Sequence, residues 1–254
     1  MDNWPPELEL LEYPILDSTN SEAKRIAFKN QVNNCTWIIA HKQMNGRGSR
    51  GRKWCSDQQN FMASFLFYPP GGLKDLILRT FTTSLALFDA LVSSGVNADQ
   101  LILKWPNDVL LNHKKISGIL LETYQDPNSK KIALIIGIGI NLFSCPDLNP
   151  TSQLSRKPTT LKSVLAGKTP KAMEMLCYLA NSLQYWEKVY SDKGFPHIKD
   201  AWLNLSYPLR SQVKVHVKGE DRMGCFLGIS DDGSFLLQSD GILFELSIGD
   251  VFFI

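Results

Sequence analysis

Up to about residue 207, strand-length apolar runs alternate with helically spaced ones; beyond it the rhythm becomes strict alternation. Residues 35–40 (CTWIIA) and 60–68 (NFMASFLFY) are continuous apolar stretches and predict two core strands. From 73 to 92, Leu76, Ile77, Phe81, Leu85, Leu87, Phe88 and Leu91 recur near helical spacing, and Gly95 stands where a C-capping glycine belongs. That is a packing helix without chemistry of its own.

Residues 101–104 form a short strand that Trp105-Pro106-Asn107-Asp108 interrupts, because proline lacks a donor and restricts the residue before it. The strand resumes at Val109 and, after a polar turn over 112–115, returns as the antiparallel partner 116–122. Residues 131–142 predict a buried strand in which Gly137 and Gly139 bare one face. Two helices follow, over 170–190 and 198–205. Then Val213, Val215 and Val217 alternate with Lys214, His216 and Lys218, and short strands recur between glycine turns. The expected class is α+β: a mixed or antiparallel sheet with helices packed on it (residues 1–207), plus a small C-terminal β-barrel (208–254) with a modest core of its own.

Composition narrows the partners. Net charge is +2 with 27 basic against 25 acidic residues in 254, so any basic patch is local and a polyanion such as nucleic acid is disfavoured. The five cysteines are scattered and never in C-x-x-C spacing, which reads as reduced core thiols. With no leader pattern and no long uninterrupted apolar stretch, the expectation is a soluble cytoplasmic protein with no membrane partner.

Candidate chemistry gathers at four places. Gly46-Arg47-Gly48-Ser49-Arg50-Gly51-Arg52-Lys53-Trp54 joins the first two core strands and suits an anion cradle, since glycines let backbone N–H groups approach a ligand and arginine forks match phosphate or carboxylate. A solvated loop, or one gripping nucleic-acid backbone, is the alternative. It is no Walker loop, because Arg52-Lys53-Trp54 stands where Lys-Ser/Thr is needed. Thr19 with Glu22 fits a capping box, leaving Ser18, Thr19 and Asn20 as helix caps or as partners of a polar ligand. Lys115 is either a solvated turn lysine or, crowded by Trp105, Asn107, Asp108 and Gly118, part of a site. Residues 144–160 are a candidate lid.

Taken together, Asp17-Ser18-Thr19-Asn20, residues 43–54, Lys104-Trp105-Pro106-Asn107-Asp108, the K-I-S-G-I-L-L-E run from Lys115 and Gly137-Ile138-Gly139-Ile140-Asn141 resemble the biotin protein ligases in order and spacing. The resemblance implies a class II synthetase-like core. It also implies a two-step reaction, in which biotin and Mg·ATP give biotinyl-5′-adenylate and a lysine of a biotin carboxyl carrier domain then takes the biotin. By the family pattern, Ser18, Thr19, Asn20 and Gln43 meet the biotin head group, while Gly118, Gly137 and Gly139 leave room for its rings. Gly46, Arg47, Gly48 and Ser49 wrap the carboxylate and phosphate, in a loop expected to order when ligand arrives. Arg47 and Lys115 are the catalytic cations. Asn107 and Asp108 help hold Mg·ATP phosphates, with Asp108 near the metal or else orienting the acceptor amine, and Asn141 lies near the nucleotide. Trp54 either covers adenine or anchors the loop. A homodimer through a sheet edge is also implied.

Two departures qualify the match. Ser49 stands where the family often has arginine, which bears on adenylate retention. Only 16 residues precede Asp17, too few for the DNA-binding module some members carry, so repressor activity is not expected. The rival readings are a lipoate or octanoate ligase, a nucleic-acid-binding module and an inactive carrier-binding scaffold.

Overall fold

The computed structural model describes residues 4–29, 35–54, 59–126, 131–145, 158–217 and 219–254, with Arg50 described for its backbone only. Most of the expected lid, 146–157, lies outside them.

Twelve strands and five α-helices are described. In chain order they are β1 (Glu9–Tyr13), α1 (Thr19–Phe28), β2 (Thr36–Ala40), β3 (Phe61–Phe67), α2 (Leu73–Ser93), β4 (Leu101–Lys104), β5 (Asp108–Leu111), β6 (Lys114–Gln125), β7 (Ile132–Ile140), α3 (Lys162–Leu165), α4 (Ala172–Lys193), α5 (Phe195–Asn204), β8 (Gln212–Val217), β9 (Glu220–Ile229), β10 (Phe235–Ser239), β11 (Ile242–Leu246) and β12 (Asp250–Phe253). The first seven strands form one mixed sheet, β1-β2-β3-β7-β6-β5-β4. Only β1 and β2 run parallel within it.

Alternation sorts each strand onto two faces. Ile38, Leu66, Ala133 and Ile135 pack under Ala23, Ile26 and Ala27 of α1. Trp37, Phe65, Leu134 and Ile136 face the other way, into the main core with α2, α4 and α5. Helix α2 is long and apolar enough to span a membrane by composition, yet 72% of its most apolar window is buried in the fold, so its apolar residues are used in packing. The β5–β6 turn is tight because Asn112 (φ 48°) and His113 (φ 60°) both take positive φ, as a two-residue hairpin demands, and β6 therefore starts at Lys114.

The C-terminal strands pair antiparallel as β11-β10-β9-β8-β12, with β11 and β12 outermost. This unit does not have the separate core expected of it. Val213, Val215, Phe226, Phe235, Leu237 and Val251 belong to the same buried cluster as Phe81 and Trp202, because so short a segment buries too little apolar surface alone. Trp105 is the join: its Nε1 donates to the Gly233 carbonyl at 2.9 Å and its ring lies 5.5 Å from that of Phe235.

Candidate active site

The α1 face of the sheet is stripped of side chains along one line. Gly118 on β6 pairs with Gly139 on β7, and Gly137 lies between Leu120 and Ser64. A Cβ on Gly137 would come within 2.3 Å of Asn20 Oδ1. The glycines are therefore a floor that other groups press on, which is the close approach their absence of side chain permits.

Above the floor stands a relay of polar side chains at the start of α1. The expected capping box is not formed. Ser18 is the N-cap but makes no side-chain cap bond, and Glu22 turns to Arg25 (2.7 Å) and Tyr13 (3.4 Å). The Thr19 N–H goes instead to Gln43 Oε1 at 2.8 Å, with Thr19 Oγ1 3.2 Å from the same oxygen. Ser64 Oγ donates to Asn20 Oδ1 at 2.6 Å and lies 2.7 Å from Thr19 Oγ1. Since Ser64 has one proton and an amide oxygen only accepts, Thr19 must donate to Ser64. Asn20 Nδ2 donates to Leu120 O (3.3 Å) and to Glu122 Oε2 (2.8 Å). The relay fixes which way the Asn20 amide faces.

The glycine-arginine loop closes the site as a hairpin. Gly48 N donates to Arg52 O (2.7 Å) and Trp54 N to Gly46 O (3.0 Å), around a 3-10 turn at Ser49–Gly51 whose Gly51 has φ 71°. Arg52 Nη2 donates to Ser49 Oγ at 3.1 Å. The loop ends in Trp54, whose indole rests on Gly118 and Gly139.

Cations converge from two sides. Arg47 reaches Glu122, with Nη1 3.2 Å from Oε1 and Nη2 2.9 Å from Oε2. Lys115, brought inward beside a β-bulge at Val109/Leu110, forms a short contact with Asp108 Oδ1 and lies 5.9 Å from the Trp54 ring centre. Lys104 Nζ stands 3.7 Å from the second Asp108 oxygen. Burial pushes the Asp108 carboxyl up, but Lys115 and Lys104 outweigh it and hold it below the usual carboxylate range. Burial likewise opposes ionisation of Glu122, and Lys24, Asn20 and Arg47 reverse that.

Ser18, Thr19, Asn20, Gln43, Arg47, Gly48, Ser49, Trp54, Asn107, Lys115, Gly118, Gly137 and Gly139 thus border one cavity of about 50 Å³. Three expected residues stay outside its lining. Gly46 is tied to Trp54, Asp108 stands behind Lys115, and Asn141 is 3% exposed, its Nδ2 donating to Thr159 O (3.2 Å) and its carbonyl accepting from Leu161 N (2.9 Å). Asn141 therefore ties the end of β7 to the chain at Thr159 and Leu161. Asn107 spends its Nδ2 on Ile119 O at 2.6 Å. Glu122, Ser64 and Lys104 were not expected here. A lone serine within an apolar strand, and a glutamate in phase with Gly118, were the signals.

A larger groove of about 710 Å³ runs between Trp4–Glu7, the end of α2 and α4, but among the described residues no cationic side chain lines it. The small cavity is where the chemistry collects. Trp54 rests on two of its glycines, so a ligand larger than about 50 Å³ can enter only if the loop moves.

Fold and site together define a protein of the acyl-ligase type, a mixed sheet with a cation-rimmed glycine floor. The chain belongs to the biotin/lipoate A/B protein ligase family, whose sequence profile matches residues 13–141. It is 34% identical over 241 residues to a biotin–[acetyl-CoA-carboxylase] ligase of Paracoccus denitrificans, covering 93% of this chain and 97% of that one. It is 29% identical to the bifunctional ligase/repressor BirA of Bacillus subtilis, across 95% of this chain and 73% of that protein. The biotin protein ligase of Aquifex aeolicus, solved in complex with biotin and ATP, superposes with a TM-score of 0.76 at 28% identity, covering 96% of this chain and 97% of that one.

Proposed function

We propose that this protein activates biotin with ATP to biotinyl-5′-adenylate, releasing diphosphate, and transfers the biotin to a lysine of a biotin carboxyl carrier domain. The observation that carries this reading is the pairing, in one cavity, of a polar relay over a bare floor with two cations, Arg47 and Lys115. The relay suits the ureido group of biotin and the floor suits its fused rings. Lipoate and octanoate present no comparable polar group, and burying the relay against them would cost about 1–3 kcal/mol per unpaired group.

In the first half-reaction a biotin carboxylate oxygen bonds to the α-phosphorus as the bond to the diphosphate oxygen breaks. Both reactants are anions. Lys115 and Arg47 offset their repulsion and the charge that builds on phosphorus. Asp108 holds Lys115 in place. In the second half-reaction the neutral acceptor amine adds to the acyl carbon, AMP leaves with the bonding pair, and the amine gives up a proton.

Magnesium supplies charge neutralisation of the phosphates when bound with ATP. Asp108 is a poor direct ligand for it, because two ammonium groups already flank that carboxylate. We therefore place the metal on the nucleotide and give Asp108 the positioning of Lys115. The catalytic unit is taken as residues 1–207, with 208–254 appended.

The test is Mg²⁺-dependent exchange of diphosphate into ATP, with biotin, lipoate and octanoate compared. Exchange with biotin alone supports the reading. Exchange driven by lipoate or octanoate, or by no acid, overturns it.

A further inference from the structure

Glu122 lies on β6 in phase with Gly118 and Leu120, so its side chain rises from the same sheet face as the floor. It gathers three groups. Oε2 accepts from Asn20 Nδ2 (2.8 Å) and Arg47 Nη2 (2.9 Å), and Oε1 from Lys24 Nζ (2.6 Å) and Arg47 Nη1 (3.2 Å). Both terminal nitrogens of Arg47 are thus committed to one carboxylate.

A guanidinium grips one planar carboxylate through its paired N–H groups and cannot offer a second the same fork. An acid that takes this terminal pair of nitrogens must therefore take it from Glu122. The exchange is inexpensive for Glu122, because Lys24 and Asn20 remain on its oxygens and no bare carboxylate is left half-buried.

We propose that Glu122 is an internal stand-in for the substrate carboxylate, a positioning residue that holds Arg47 at the cavity rim and yields it to the acid on binding. This rests on the reading above that Arg47 serves the biotin carboxylate. Glu122 consequently tunes discrimination between acids and their uncharged analogues, separately from its effect on Asn20 and the head group.

The experiment measures binding of biotin and of biotinol, whose chain ends in an alcohol, by calorimetry without nucleotide. The readout is the ratio of the biotinol to the biotin dissociation constant. Loss of Asn20 positioning weakens both ligands alike and leaves that ratio unmoved. In Glu122→Gln the ratio is expected to rise about three- to fivefold, the scale of a half-exposed ion pair no longer competing. Glu122→Asp, which keeps the charge, should stay near wild type. Lys24→Met removes the other cation from Glu122, tightens its hold on Arg47 and should lower the ratio about twofold. That variant alters a half-exposed residue outside the cavity lining, so it gives an answer even if Glu122→Gln does not fold.

A ratio above one in wild type that neither Glu122→Gln nor Lys24→Met changes overturns the role of Glu122 and leaves the Arg47 reading standing. A wild-type ratio of one overturns both.

Discussion

Gly139 and Trp54 meet at a separation that leaves no place for a β-carbon: one built on Gly139 would stand 2.4 Å from the indole Cε2. The backbone at Gly139 is ordinary strand, so alanine there is sterically refused by the indole and not by its own dihedrals. Gly139→Ala should therefore push Trp54 off the floor and narrow the space left for a ring system. Overpacking of this kind costs about 1–3 kcal/mol, and we expect biotin affinity to fall on the order of tenfold. Undiminished biotin binding by the alanine variant would mean that the ligand does not lie along β7.

Ser64, beside Gly137 on the same sheet face, gives a second test. It is fully buried, and its hydroxyl donates to Asn20 Oδ1 while accepting from Thr19. Ser64→Ala removes one oxygen and leaves Asn20 Oδ1 without that donor. The expected result is a loss of about 1–3 kcal/mol in folding stability by urea titration, with biotin binding roughly tenfold weaker. Weaker folding with unchanged biotin affinity would reduce the relay to a packing device.

Much of the frame was legible in the sequence because it depends on local rules. Apolar period, proline at 106 and glycine at 95 placed β3, α2 and the β4–β5 break close to where they stand. What escaped was long-range. Thr19 looked like a cap for its own helix, but Gln43, twenty-four residues on, supplies the acceptor. The tie of Asn141 to Thr159 and Leu161 likewise spans a stretch of chain that no local pattern connects. Glu122 ends the run from Lys115 but carried no role there, because its partners Asn20, Lys24 and Arg47 come from α1 and the loop, which only the folded sheet brings together. The C-terminal unit read as self-contained because alternation says nothing about which layer a strand face meets.

The Asp108–Lys115 contact predicts both a rate and a pH dependence. Lys115→Ala should lower biotin-dependent exchange by about 10²–10³-fold, while Lys104 still neutralises Asp108 and the fold persists. The folded Asp108 carboxyl titrates below its ordinary value, and Glu122 does the same. For such groups the unfolded chain binds more protons, so their stabilisation is present above about pH 4 and is lost as pH falls through the lower folded values. Urea midpoints measured from pH 6 downward should decline across that window, and Asp108→Asn should flatten the decline. An Asp108→Asn protein with the wild-type acid profile would refute the assignment.

Ser49 is where the loop departs from the family's arginine. Its hydroxyl accepts from Arg52, whose Nε also donates to the Ser49 carbonyl at 3.3 Å, so Arg52 is engaged in holding the turn. Arg47 is engaged by Glu122 at the same rim. An arginine at position 49 would add a guanidinium beside the cavity, removing the hydroxyl that accepts from Arg52 but keeping the backbone carbonyl that Arg52 Nε also reaches. If the adenylate phosphate passes beside this turn, Ser49→Arg contributes about 1 kcal/mol to its retention and slows release about fivefold. Dissociation of radiolabelled biotinyl-adenylate, followed by rapid filtration in the absence of carrier, measures that directly. Release at the wild-type rate would place the phosphate away from the turn and leave its retention to Arg47 and Lys115.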